Sequence, residues 1–306
     1  MKTRNTVGSE KAAINKTKAH GGLKKPLMEP FMRTVFLAAA SLSILCVALI
    51  CGFLFANGIP AIGQIGPLKF FAGTAWRPGN GLYGIAPMIL GSLYVTAGAI
   101  VAGVPLGLLC AVFMARFCPA RLHAVMSPAV TLLAGIPSVV YGFFGLVVLV
   151  PALRSLGAGN GKSILTASLL LGMMILPTII SVSEAALRAV PESYYEGALA
   201  LGASHEEAVF FVLTPAAGSG LMAAVILGVG RSIGETMAVI MVAGNQAIIP
   251  QSLFRGARTL TANIVLEMGY AADLHREALI ATAATLFVFI LIINLLFTLA
   301  KGRMPR

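Results

Sequence analysis

Two charged side chains stand inside an otherwise apolar stretch: Arg231 and Glu235, in GRSIGETMAV, residues 230–239. In hydrocarbon each is costly, so each belongs against protein or water. On a continuous helix a spacing of four places them on one face, where they can pair. Three chemistries fit. A paired charge can fix helix register. A guanidinium can offer a planar fork to two oxygens of an oxyanion. A carboxyl can relay protons, as in a self-contained carrier. Glu235 alone would repel an anion, so beside Arg231 it suits orienting the guanidinium or bonding a donor on a neighbouring subunit.

The elements that must position this pair are membrane helices. Of 306 residues, 58% are hydrophobic and only 11% charged, with mean hydropathy +0.91. No ordinary soluble domain hides that much apolar surface from water. Windows of about 20 apolar residues mark spans at 34–56, 125–150, 163–183 and 278–300. A fifth run, 84–115, exceeds one span, and Pro87 and Gly91 start it outside the hydrocarbon. A sixth, 216–243, contains the charged pair. The expected fold is all-α, a polytopic bundle of six transmembrane helices. The runs are long and do not alternate, which excludes a transmembrane barrel.

Net charge is +11, and its distribution sets topology. Lys2, Arg4, Lys11, Lys16, Lys18, Lys24, Lys25 and Arg33 precede the first span, which places that tail in the cytoplasm. Six spans return Lys301, Arg303 and Arg306 to the same side, and Arg116 and Arg121 follow the second span there. Segment 184–215 is then cytoplasmic, and 57–83, 151–162 and 244–277 are external. The domain reading is a basic tail at 1–33, expected to be disordered before Pro30, and a transmembrane domain at 34–306 that includes the hairpin at 191–215. The tail suits an anionic lipid surface rather than nucleic acid. The first apolar run is of span length, so it reads as a retained anchor and not a signal peptide. Cys46, Cys51, Cys110 and Cys118 lie in or beside spans without CxxC spacing and read as small apolar residues.

The cytoplasmic segment carries YYEGALALGASHEEAVFFVLTP, residues 194–215. Pro191 and Glu192 suit a helix start. Gly202 suits a left-handed stop. Ser204 with Glu207 forms a capping box for a second helix, expected to carry 208–213 and end before Pro215. The result is a compact helix–glycine–helix hairpin, 191–215, in a place where another protein can dock.

Glu196-Gly197-Ala198, three residues, Gly202, nine residues, Val212, then Pro215 resembles the EAA loop of ABC-importer permeases. The departures are Gly197, Val212 and Thr214; Gly197 loosens the first helix by about 1 kcal/mol relative to Ala. RSIGETMAV, residues 231–239, is similar to the R-x-x-GETMAV signature of the PstC-type subunit of bacterial phosphate importers. The stretch from Trp76 to Phe117 also looks like that subunit, and the similarity runs from about Phe70 to Thr298. The resemblance implies an inner-membrane permease with both termini cytoplasmic. Its implied partners are a PstA-type second permease subunit, two ATPase subunits and an external phosphate-binding protein. ATP and Mg would sit in the ATPase and no cofactor in this chain. Glu196, Gly197, Ala198, Gly202 and Pro215 would couple to the ATPase, and Arg231 and Glu235 would line the substrate path. Sulfate, molybdate or tungstate are the alternative cargoes.

Several other positions fit weaker readings. Ser138, Tyr141, Thr236 and Asn245 are polar candidates for the path, with helix packing as the plainer explanation. His123, His205 and His275 are expected in loops, without metal spacing. Arg255, Arg258, Glu267 and Asp273 read as a solvated external loop. Phe70, Phe71, Trp76 and Tyr83 suit a membrane interface or an external partner. Residues 157–163 imitate a phosphate-binding P-loop, but only three residues separate the outer glycines where four are needed. They read as a glycine-rich turn.

Overall fold

The computed structural model describes residues 28–157 and 159–302. The start of the basic tail, and with it most of its expected disorder, lies outside the described residues. Helix α1, Met28–Ile65, begins ahead of the expected span and continues past it through Pro60. Its part up to Phe53 forms a unit of its own.

A short helix follows, α2 at Pro67–Ala72. Then comes a two-stranded antiparallel hairpin, β1 Trp76–Arg77 and β2 Leu82–Tyr83, with Trp76 opposite Tyr83. Phe70, Trp76 and Tyr83 are buried in one apolar cluster with Ile85, Met88 and Leu279. These three rings are therefore core, not interface anchors, and Phe71 alone of the four remains exposed. The turn between the strands brings Trp76 and Tyr83 into edge-to-face contact, which gives both rings a better partner than lipid headgroups.

Helix α3 spans Ala86–Phe117, and its last turn, Phe113–Phe117, widens into a π turn. The run expected at 125–150 is two helices, α4 Ala120–Gly135 and α5 Ser138–Ser155. Ile136 precedes Pro137, which pushes it out of the helical region and breaks the run. Helix α6 is Ile164–Arg188. The hairpin contributes α7, Glu192–Ala200, and α8, His205–Ala216. Then come α9 Gly218–Gly234, α10 Met237–Val242, α11 Leu260–Glu267 and α12 Asp273–Gly302. Among the described residues α1, α3, α5, α6 and α12 are long and apolar enough to cross a membrane. The pair α8 and α9, bent by 69°, makes a sixth if it is one span. The fold is thus the expected all-α membrane bundle. Its last broken segment reaches back into the hairpin instead of forward across 216–243.

Helix α6 is the most buried span. It meets α3 where side chains are absent. A Cβ on Gly103 would come within 2.8 Å of the Gly172 carbonyl oxygen, and one on Gly107 within 2.8 Å of Ile179. The same Ile179 also meets α9, where a Cβ on Gly228 would sit 3.0 Å from it. Small residues at these crossings bring the backbones close and lock the three helices together.

Candidate functional site

Arg231 lies in the last turn of α9 and Glu235 just beyond it, in extended backbone. The helix does not continue, so the expected pairing across one helical face is not formed. The Glu235 carboxylate instead accepts from the Thr236 and Ala238 backbone N–H groups at 3.1 and 3.3 Å. It caps the start of α10, where unpaired N–H groups favour a negative charge. The Thr261 hydroxyl donates to the Glu235 carbonyl at 3.3 Å, tying the break to α11. Arg231 is half-buried, and neither an ion pair nor a hydrogen bond engages its guanidinium among the described residues. It lies within electrostatic reach of Tyr141. That ring lines an apolar groove of about 470 Å³ between α4, α5 and α6, with Leu133, Ile136, Leu176 and Pro177 among its walls.

The hairpin forms as its caps dictate. Gly202 adopts φ 91°, a left-handed conformation, and the Ala203 N–H reaches back to the Ala198 carbonyl at 3.1 Å. The Ser204 hydroxyl accepts from the Glu207 N–H at 3.2 Å, while the Glu207 carboxylate accepts from the Ser204 N–H at 2.8 Å. Past this box the expectation fails in one respect: Pro215 does not stop the helix. Residues Ala208–Leu213 form a π turn and the chain stays helical through Thr214–Ala216. The wider turn relieves the clash that a proline ring makes with the carbonyl four residues back. Glu196, Gly197, Gly202 and Pro215 are exposed, and Ala198 is buried. Apolar side chains also face outward here: Leu201 at the tip is 92% exposed and Phe211 77%.

A ring of polar contacts roots the hairpin. Arg116, in the π turn of α3, donates to both Glu192 carboxylate oxygens at 2.9 and 3.2 Å and to the Leu187 carbonyl at 3.4 Å. Its guanidinium carbon lies 5.9 Å from the centre of the Tyr195 ring, whose hydroxyl is 2.8 Å from His205 Nδ1. Arg188 donates to Glu184 at 2.9 Å and to the Met114 carbonyl at 3.0 Å. His123 Nε2 is 2.7 Å from the same Glu184 carboxylate.

At the other end of α3 lies a cluster that sequence reasoning missed. Glu267, taken for a solvated loop residue, is 7% exposed. Its carboxylate accepts from Trp76 Nε1 at 2.7 Å, pairs with Arg258 and stands 3.0 Å from His275 Nε2. Arg258 also donates to the Asn263 side chain and the Asn245 carbonyl, each at 3.0 Å. The reading of this segment as a solvated charge run is therefore corrected for Arg258 and Glu267, because burial forces opposite charges together.

The remaining candidates serve the backbone. Tyr141 donates to the Leu133 carbonyl at 2.9 Å, Thr236 to Gly234 at 3.2 Å and the Asn245 amide to Ile240 at 2.8 Å. Ser138 opens α5. His123, His205 and His275 sit in helices α4, α8 and α12, not in loops. The described residues of 157–163 turn the chain: Ser163 caps α6 through the Thr166 N–H, and Gly161 packs against the Val150 carbonyl.

A bundle of broken membrane helices with a capped, outward-facing hairpin defines a multi-pass membrane protein of the permease class. The family described as binding-protein-dependent transport system inner membrane component matches residues 103–305, and this chain belongs to it. The probable ABC transporter permease protein YqgH of Bacillus subtilis is 39% identical over 280 residues, 88% of this chain and 91% of the relative. The phosphate transport system permease protein PstC of Mesorhizobium japonicum is 35% identical over 277 residues, 84% of each. That of Haemophilus influenzae is 32% identical over 301 residues, 90% of this chain and 93% of its own. Among solved structures, a bacterial ABC transporter involved in alginate import overlays with a TM-score of 0.59 at 18% identity, covering 92% of this chain and 100% of that one. An inward-facing MetNI methionine transporter gives 0.54 at 22% identity, with 75% and 97% covered. At these identities the solved structures share the fold.

Proposed function

We propose that this chain is the membrane-spanning permease subunit of an ATP-driven importer of inorganic phosphate. The reading rests on one observation, the Arg231 guanidinium, which has no partner among the described residues. Glu235, which would neutralise it on an unbroken helix, is committed to the N–H groups of α10. A half-buried guanidinium with no partner among the described residues can bind two oxygens of an oxyanion at once and release them without first breaking an internal pair. Relatives that carry the name phosphate transport system permease protein over most of this chain's length support phosphate as the cargo. A proton relay through Glu235 fits less well, since protonation would weaken the cap that holds the helix break.

In this assignment the hairpin end faces the cytoplasm, with both chain termini on that side. Glu196, Gly197, Gly202 and Pro215, with the bare apolar tip at Leu201, form the surface that an ATPase subunit grips, and the buried Ala198 packs beneath it. Two ATPase subunits hold ATP and Mg. A PstA-type permease subunit completes the path, and an external phosphate-binding protein delivers the cargo. ATP and loaded binding protein act by binding one conformation of the bundle more tightly than the other.

The test is uptake of labelled phosphate by cells carrying Arg231→Gln. Loss of one charge-assisted hydrogen bond, about 1.5–3 kcal/mol, lowers transport by about tenfold or more, with the assembled complex still recovered from the membrane. Arg231→Lys keeps the charge without the fork and falls between. Near-normal accumulation by Arg231→Gln removes Arg231 from the path.

A further inference from the structure

We infer that Arg116 is the positioning residue that carries hairpin movement into the membrane helices. The inference deepens the reading above and depends on an ATPase gripping the hairpin. Its basis is a pair of reciprocal contacts. Arg116 of α3 donates to the Leu187 carbonyl of α6, and Arg188 of α6 donates to the Met114 carbonyl of α3. The two helix ends are thus stitched in both directions, at the π turn where the regular bonding of α3 is interrupted.

Arg116 extends this stitch to the hairpin through polar contacts, beside the apolar contact that Phe117 makes with the His205 ring at 4.7 Å. It grips Glu192 through both carboxylate oxygens and lies over Tyr195, two residues of the first hairpin helix. Its side chain is 13% exposed, whereas that of Glu192 is 57% exposed. The arginine is therefore anchored in the bundle and the glutamate belongs to the part that moves. The Arg116 Nε is buried and makes no hydrogen bond. A buried donor without a partner is costly, and a guanidinium kept in that position points to a role besides packing.

The route onward is rigid. Helix α3 meets α6 through Gly103 and Gly107, and α6 meets α9 at Gly228. Backbones packed this closely transmit a displacement instead of absorbing it. A tilt imposed on α7 through Glu192 is passed by Arg116 to α3 and α6, and by α6 to α9, whose last turn holds Arg231.

The experiment uses the full transporter with its ATPase and binding-protein partners, reconstituted in vesicles, and measures phosphate moved per ATP hydrolysed. First, the wild-type complex must hydrolyse ATP faster with phosphate-loaded binding protein; if it does not, the functional reading fails before Arg116 is at issue. With that in place, Arg116→Gln is expected to assemble with its ATPase and to move about tenfold less phosphate per ATP. The exchange Arg116→Glu with Glu192→Arg is expected to recover a large part of that ratio, which loss of packing alone would not do. If Arg116→Gln does not assemble, Glu192→Gln, on the exposed partner, carries the test and should lower the same ratio. A wild-type ratio in the single variant that assembles, or no recovery by an assembled exchange variant, overturns the inference.

Discussion

The two ends of α3 hold ion pairs of the same chemistry in different surroundings. At the hairpin end, Arg116 meets a Glu192 that is more than half exposed. At the cap end, Glu267 is buried and satisfied by Trp76, Arg258 and His275 together. Water competes for the first pair and is excluded from the second. An exposed pair contributes about 0–1 kcal/mol, so it joins the hairpin to the bundle without fixing it in place. A buried carboxylate that loses its arginine is left as an uncompensated charge, which costs about 3–5 kcal/mol. The difference teaches that one end is built to yield and the other to stay fixed. A lever needs both.

The largest break in this comparison comes from Glu267→Ala. It strands Arg258 beneath the cap and should destabilise the protein by about 3–5 kcal/mol, read as a lower thermal midpoint and a lower yield from membranes. Unchanged melting would make the cap no firmer than the hairpin root. A smaller effect sharpens the contrast. A double-mutant cycle on Arg116 and Glu192 should return a coupling energy of about 1 kcal/mol or less. Salt should weaken it further, because screening shortens from about 10 Å at 0.1 M to about 3 Å at 1 M. A coupling as large as that of Arg258 with Glu267, and insensitive to salt, would erase the distinction. A local effect of similar size is Ser204→Ala, which removes half of the capping box and should cost about 1 kcal/mol. It should appear as faster amide exchange confined to the start of α8, and exchange spread over the bundle would contradict a local cap.

What the sequence made legible follows the same division between near and far. The hairpin was readable because its signals act over a few residues: Gly202 stops one helix, and Ser204 with Glu207 starts the next. The break at Pro137 was also marked locally, yet a long apolar run on both sides of it reads as one span. The pairing of Arg231 with Glu235 failed for a subtler reason. A spacing of four implies contact only if the helix is continuous, and no proline announces the break at Glu235, whose own carboxylate competes for the backbone. The Glu267 cluster was hidden because Trp76 lies 191 residues away from it. The fold alone brings those groups together, and a glutamate on a short helix has no residue-level sign that it is buried.

The π turns at 113–117 and 208–213 have a consequence for chain length. Each coils one residue more than an ordinary turn would need. Deleting a single residue within 113–117 would close that bulge into a plain α turn and leave the helix on either side nearly in register, because the wider turn absorbs the extra residue. One surplus residue is thus lodged where a membrane rod meets its handle.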